Sequence, residues 1–210
     1  MAKKKQQTQS KYAFNKNIAR AQAFITIHQE AQVGRGQPTK ARQELPRAAV
    51  VFAVGAIDAY LSEVSAEVLV EQLAAEPANA INRDVLTRVQ KDLPTLPLEV
   101  ALLSTEADRA DRIKESVADY FHNRISNHGS KAVATTLSRI GEDINDVWTY
   151  LESQGHKKPA QSLDDWTTKR HDIVHKGKQP QVNRLPANEF IDFCVALVGR
   201  VDKLALGQKP

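Results

Sequence analysis

Cysteine is almost missing from this chain: Cys194 is the only one in 210 residues. That excludes an intramolecular disulfide framework and any cysteine-rich zinc site, and it fits a reducing compartment, with the cytoplasm as the expected location. Long apolar runs are missing too. The most apolar stretch, Ala48 to Ile57, has ten residues, against the roughly 20 that a membrane-spanning helix needs, so no membrane segment is expected. Residues Met1 to Lys11 are basic and glutamine-rich, but no apolar run ending in small residues follows, so they are not a secretory signal. They read as a disordered basic tail over 1–11. Alternation of apolar and polar residues between turn signals is absent, which leaves no candidate strand. There is no internal repeat. An excess of one charge is slight: 29 Lys and Arg against 25 Asp and Glu give a net charge of +4, compatible with a polyanionic partner but unable to identify one.

What is present is helical periodicity. With 41% hydrophobic residues the chain can bury a core as one domain over residues 12–206. Phe14, Ile18, Ala21 and Ile25 share one face of a helix expected from Tyr12 to Val33. Gly34 to Arg42 then reads as a cationic linker. From Leu45 to Ala75 the apolar residues Val50, Val51, Phe52, Val54 and Ile57 point all round a helix, which must be central to the core or lie at a subunit interface. Asp58 and Tyr60 enter that apolar setting and need partners. A short helix is expected over about Ala80 to Leu93, ended by Pro94 and Pro97, and another from Glu106 to Ile125, closed by Asn127-His128-Gly129. Val133, Leu137, Ile140, Ile144, Val147 and Leu151 recur at gaps of four and three, predicting a single helix from Ser130 to the break at Gly155. Ser162-Leu163-Asp164-Asp165 carries a capping-box pattern for the next helix, which Gly177 and Pro180 stop. Pro186 opens the last, with Phe190, Cys194, Leu197, Val201 and Leu204 inward. Cys194 is thus a packing residue. The fold class is all-α, an antiparallel bundle of six to seven helices.

The chemistry gathers in Lys169-Arg170-His171-Asp172-Ile173-Val174-His175-Lys176-Gly177. Arg170 and His175 are five positions apart, about 140° around a helix, and should flank one broad face, whereas His171 and His175 stack at i and i+4. Imidazole serves acid–base chemistry near neutral pH, and a guanidinium can hold a phosphate and neutralise charge developing on it. The pair therefore suits metal-independent RNA cleavage, in which a 2′-hydroxyl attacks the adjacent phosphate. Spacing alone has little weight, since with this composition one such arginine–histidine pair is expected by chance roughly once. His171-Asp172-Ile173-Val174-His175 also imitates a zinc metalloprotease pattern, but aspartate stands where the glutamate base belongs and no third ligand is evident, so neither metal nor cofactor is expected. His28 reads as a satisfied packing histidine. His122 and His128, near Arg124, miss the spacing and read as capping or solvent contacts. His156, Lys157 and Lys158 precede the helix and, with Lys169, Lys176, Lys178 and Arg184, form a cationic zone that could track an RNA backbone; solvated loop charge explains them equally well.

Arg170-His171-Asp172-Ile173-Val174-His175-Lys176-Gly177 resembles the signature of the HEPN superfamily, an arginine and a histidine separated by four to six residues with a polar residue after the arginine. The order of elements is also similar, with an early long apolar helix, the signature near the C-terminus and one amphipathic helix after it. The chain looks closest to the prokaryotic HEPN nucleases of toxin–antitoxin and phage-defence systems, including the RiboL-PSP-HEPN group. The resemblance implies a metal-independent endoribonuclease with RNA as substrate. Arg170 and His175 would be catalytic and His171 supporting, at a composite site that two protomers of a homodimer complete. It also implies an antitoxin or other protein partner as the one to look for. Asp58 is assigned to pair with Arg170 and aim it. HEPN domains that bind or scaffold without cleaving are the alternative.

Overall fold

The computed structural model describes residues 6–31, 39–74 and 129–208, with Thr87, Gln90, Asp111, Glu115 and Val117 between them. Six helices are described: α1 Gln9–Glu30, α2 Lys40–Ala74, α3 Gly129–Ile140, α4 Ile144–Ser153, α5 Pro159–Lys176 and α6 Arg184–Ala205. There is no strand among the described residues, and the fold is the expected all-α bundle. The helices expected over Ala80 to Leu93 and Glu106 to Ile125, with His122, Arg124 and His128, lie outside the described residues apart from those five positions.

Side-chain contacts set the directions. Phe14 meets Tyr60 edge-on at 5.9 Å between ring centroids and Phe24 meets Phe52 at 5.2 Å; as one number rises the other falls, so α1 and α2 are antiparallel. Thr8 bonds Asp202 and Gln22 bonds Asn188, so α1 and α6 are antiparallel as well. The apolar side of α2 is the spine of the core: Ala49, Val50, Ala53, Val54, Ile57, Leu61 and Val64 are all essentially sealed from solvent. It packs against α1, α3, α5 and α6. Burial on most sides, as read from the sequence, holds for its described large apolar residues except Phe52, which is 40% exposed. An 18-residue window of α2 has a mean hydropathy of 1.5, apolar and long enough by composition to cross a bilayer, and 56% of it is buried within the fold. The apolar stretch is thus longer than the ten residues read from the sequence, and a core helix has this composition too. Tyr60 is buried, and its hydroxyl has no hydrogen-bond partner among the described residues; burial, then the charges of Asp202 and Glu67, push that phenol well above its ordinary range.

Several boundaries differ from the sequence expectation. α1 starts at Gln9, not Tyr12, because Thr8 caps it: the Thr8 hydroxyl accepts from Lys11 N at 3.0 Å, so residues 8–11 are ordered helix and cap rather than tail. α2 starts at Lys40, where the Thr39 hydroxyl accepts from Arg42 N at 3.3 Å, and runs on through Pro46; the loss of one amide donor there is outweighed by the tertiary burial of the helix that follows. The single helix expected from Ser130 is two. Gly141, at φ 84°, turns the chain, and the Asp143 carboxylate accepts from Asn145 N at 2.9 Å to cap α4. The apolar period persists across the break, with Ile140 on one side and Val147 on the other both buried.

The capping box at Ser162 does not start α5. Pro159, with a φ suited to the first helical position, opens it earlier, and Asp164 instead reaches α3, accepting from Ser130 N and Ser130 Oγ, each at 2.7 Å. Gly129 sits against it at φ 75°, and a Cβ there would come within 2.5 Å of Asp164 Oδ1. Gly129→Ala is therefore expected to strain the backbone and push the cap away together, costing about 2 kcal/mol. A urea unfolding midpoint equal to wild type would contradict that account.

Candidate functional site

α5 is an outer helix. Only Pro159 and Leu163 are fully buried along it, and Trp166, stacked on Phe190 at 5.0 Å, is its last large anchor. Its C-terminal half therefore presents Arg170, His171 and His175 at the surface. Gly177, at φ 59°, ends the helix with its N–H on the Asp172 carbonyl, and Lys178 N donates to the same oxygen at 3.1 Å. This left-handed cap is what glycine permits without strain.

Arg170 and His175 do more than flank a face. Arg170 Nη1 lies 3.4 Å from His175 Nε2, because the arginine stem is long enough to cross the 140° between them. The rings of His171 and His175 lie 4.9 Å apart, tilted by 43°. One guanidinium and two imidazoles thus converge on one exposed patch, with Arg170 Nε buried and without a partner among the described residues. Val174 beside them is 45% exposed. The signature's carboxylate is occupied: Asp172 is bound by Lys176 at 2.8 Å and Lys178 at 3.2 Å. Those hydrogen bonds, Lys176 first, hold it below the usual carboxylate range.

The other expected residues are distributed along α5. Lys169 folds back, its ammonium 3.9 Å above the Trp166 ring. Lys157 and Lys158 are exposed at the opposite end of the helix, about 27 Å from Lys176 at 1.5 Å per residue. The lysines thus form two groups rather than one zone. Lys157 and His156 border a cleft of about 420 Å³ that also takes in Trp166 and Phe193. Asp58 is half-buried on α2. Its carbonyl accepts from Ser62 Oγ at 3.1 Å, and the described side-chain partner of Arg170 is His175. Among the described residues no group of three or more His, Cys, Asp or Glu is placed to hold a metal ion. Cys194 is fully buried, and burial pushes its thiol well up, as a packing role requires.

The sequence reading passed over a second concave region, of about 570 Å³, where His28 faces Arg47 and Arg184 beside the segment that follows the signature. Nothing in local spacing joins these three. They meet because α1, α2 and the start of α6 share one end of the bundle.

No curated protein and no solved structure matches the chain. A family model, RiboL-PSP-HEPN, matches residues 15–206, the span that holds all six helices but for the first turns of α1. The surface patch of Arg170 and His175 thus sits late in a HEPN chain, and the protein belongs to the RiboL-PSP-HEPN family.

Proposed function

We propose that this protein is a metal-independent endoribonuclease, working as a homodimer and acting as the effector of a bacterial toxin–antitoxin or defence system. The observation that carries the reading is the 3.4 Å approach of Arg170 Nη1 to His175 Nε2 on an exposed helix end. A histidine and an arginine at that separation can serve the two ends of one phosphodiester. His175 moves the proton of the attacking 2′-hydroxyl or of the leaving 5′-oxygen, and Arg170 neutralises the charge gathering on the phosphorus oxygens. His171, against the His175 ring, limits its orientation. Burying exposed Val174 against a second copy would bring two such sets together across a two-fold axis. An antitoxin would act by covering the same patch.

The test is expression in a bacterial host. Wild type is expected to arrest growth with loss of RNA, while Arg170→Ala and His175→Ala do not. Equal harmlessness of all three, with no cleavage by the purified protein, would leave a binding module instead.

Asp172 supplies a separate prediction. Its carboxylate holds both Lys176 and Lys178, so Asp172→Asn frees two ammonium groups beside the proposed site. Affinity for an uncleavable RNA at low salt is expected to rise roughly threefold, with a steeper salt dependence. Unchanged or weaker binding in a filter assay would mean that these lysines do not face the RNA.

A further inference from the structure

The concave region between α1, α2 and the start of α6 has the properties of a ligand site. Its volume of about 570 Å³ lies within the range of small-molecule pockets, roughly 300–1,000 Å³. His28 is nine-tenths buried, and its Nδ1 has no hydrogen-bond partner among the described residues, a costly state for a polar atom unless something else satisfies it. Arg184 lines the same space and makes no hydrogen bond or ion pair among the described residues. It also opens α6, whose cap residue Asn183 lines the space too and makes no side-chain capping bond, so the positive end of a 22-residue helix lies at its edge, with the Arg184 and Leu185 amides uncapped.

The surroundings reinforce the cationic character. Arg42 Nη2 donates to the His28 carbonyl at 3.2 Å. Burial, then the charges of Arg42 and Arg184, lower the affinity of the His28 ring for a proton, leaving it a neutral donor and acceptor. No carboxylate lines the space among the described residues, and Glu44, beside it on α2, is taken by Arg47. Arg47 is itself fixed as a wall, donating through Nε to the Pro180 carbonyl at 2.9 Å. Arg184 is therefore the cation left for a ligand, while Gln179 and Gln181 supply amides of the kind that read base edges.

We propose that this pocket binds the phosphate ester of a nucleotide, with Arg184 and His28 as its contacts. Gln179, on its wall, is four residues from His175, so their Cα atoms are at most about 14 Å apart. A strand leaving the arginine–histidine patch would reach the wall of this pocket within a few nucleotides. Occupation by an RNA strand rests on the nuclease reading, whereas occupation by a free mononucleotide does not.

The test is calorimetric titration of the full chain with two probes, adenosine 5′-monophosphate and a fully 2′-O-methylated RNA octamer that cannot be cleaved. Arg184→Ala and, separately, His28→Gln are compared with wild type and with Arg170→Ala. Loss of about ten- to hundredfold in mononucleotide affinity in both pocket variants, with Arg170→Ala unaffected, supports a free-nucleotide site. The same loss seen with the octamer alone supports a strand-holding site. If neither probe distinguishes Arg184→Ala, which is half-exposed and expected to fold, from wild type, the proposal is overturned, and RNA cleavage through Arg170 and His175 stands or falls by its own assay.

Discussion

Arg170→Ala and His175→Ala should each lower single-turnover cleavage of an oligoribonucleotide by about 10²–10⁴-fold. In a reaction without a metal ion, the charge on the transition-state phosphate must be met by protein donors. Arg170 is the guanidinium that lies beside a histidine here, its Nη1 3.4 Å from His175 Nε2. Both sit on the outer half of α5, so the variants should keep their stability within about 0.5 kcal/mol of wild type, and a thermal melt separates lost chemistry from lost fold. Composite construction adds a sharper expectation. When wild type and the Arg170→Ala, His175→Ala double variant are co-expressed in equal amounts and pair at random, activity should fall to about one quarter, against one half if each protomer works alone. A value of one half would remove the dimer from the mechanism while leaving the residues in it.

Thr8→Val should cost about 2–4 kcal/mol and lower the melting temperature by roughly 5–15 °C. Thr8 is 3% exposed and does two things at once. Its hydroxyl caps α1 by accepting from Lys11 N at 3.0 Å, and it donates to the Asp202 carboxylate, which is only 1% exposed. The Thr8 amide donates to the same carboxylate at 3.3 Å, and Lys11 Nζ approaches it at 3.5 Å. Valine keeps the shape and removes the hydroxyl, leaving a buried carboxylate short of a donor and a helix short of its cap. Thr8→Ser restores both and should melt within a few degrees of wild type. A shift below 2 °C for Thr8→Val would mean that residues 1–11 behave as the tail that their composition suggests.

That tail shows where local reading ends. Its basic, glutamine-rich residues carry no apolar signal, and what orders Thr8 and Ser10 comes from residues far along the chain: Asp202, and Glu67, which accepts from Ser10 N at 3.1 Å and Ser10 Oγ at 2.8 Å. Periodicity identified the inward faces well, because burial of Val133, Leu137, Ile140, Val147 and Leu151 is what a 4–3 spacing records. It could not record the turn at Gly141, since the spacing continues across it and only Gly141 and Asp143, read as a stop and a cap, announce two helices. The Ser162 box failed for a related reason: Pro159 had already opened the helix, so Ser162 N donates to the Lys158 carbonyl at 3.0 Å and Ser162 is a helix residue rather than a cap. For the site, spacing located Arg170, His171 and His175, while the contact between guanidinium and imidazole depended on side-chain reach that an angle around a helix does not contain. The unpartnered His28, read as a satisfied packing residue, needed three distant segments to be seen together.

The bond between Thr8 and Asp202 joins positions 194 residues apart. At roughly 5–20 residues per second, a ribosome needs about 10–40 s to travel from one to the other. Throughout that interval the first helix is held by α2 alone, through Glu67 and Tyr60, and lacks the bond that ties it to α6. The last helix to be made is thus the one that closes the fold, and α5, which carries Arg170 and His175, leaves the ribosome before the Phe190 ring on which its Trp166 stacks.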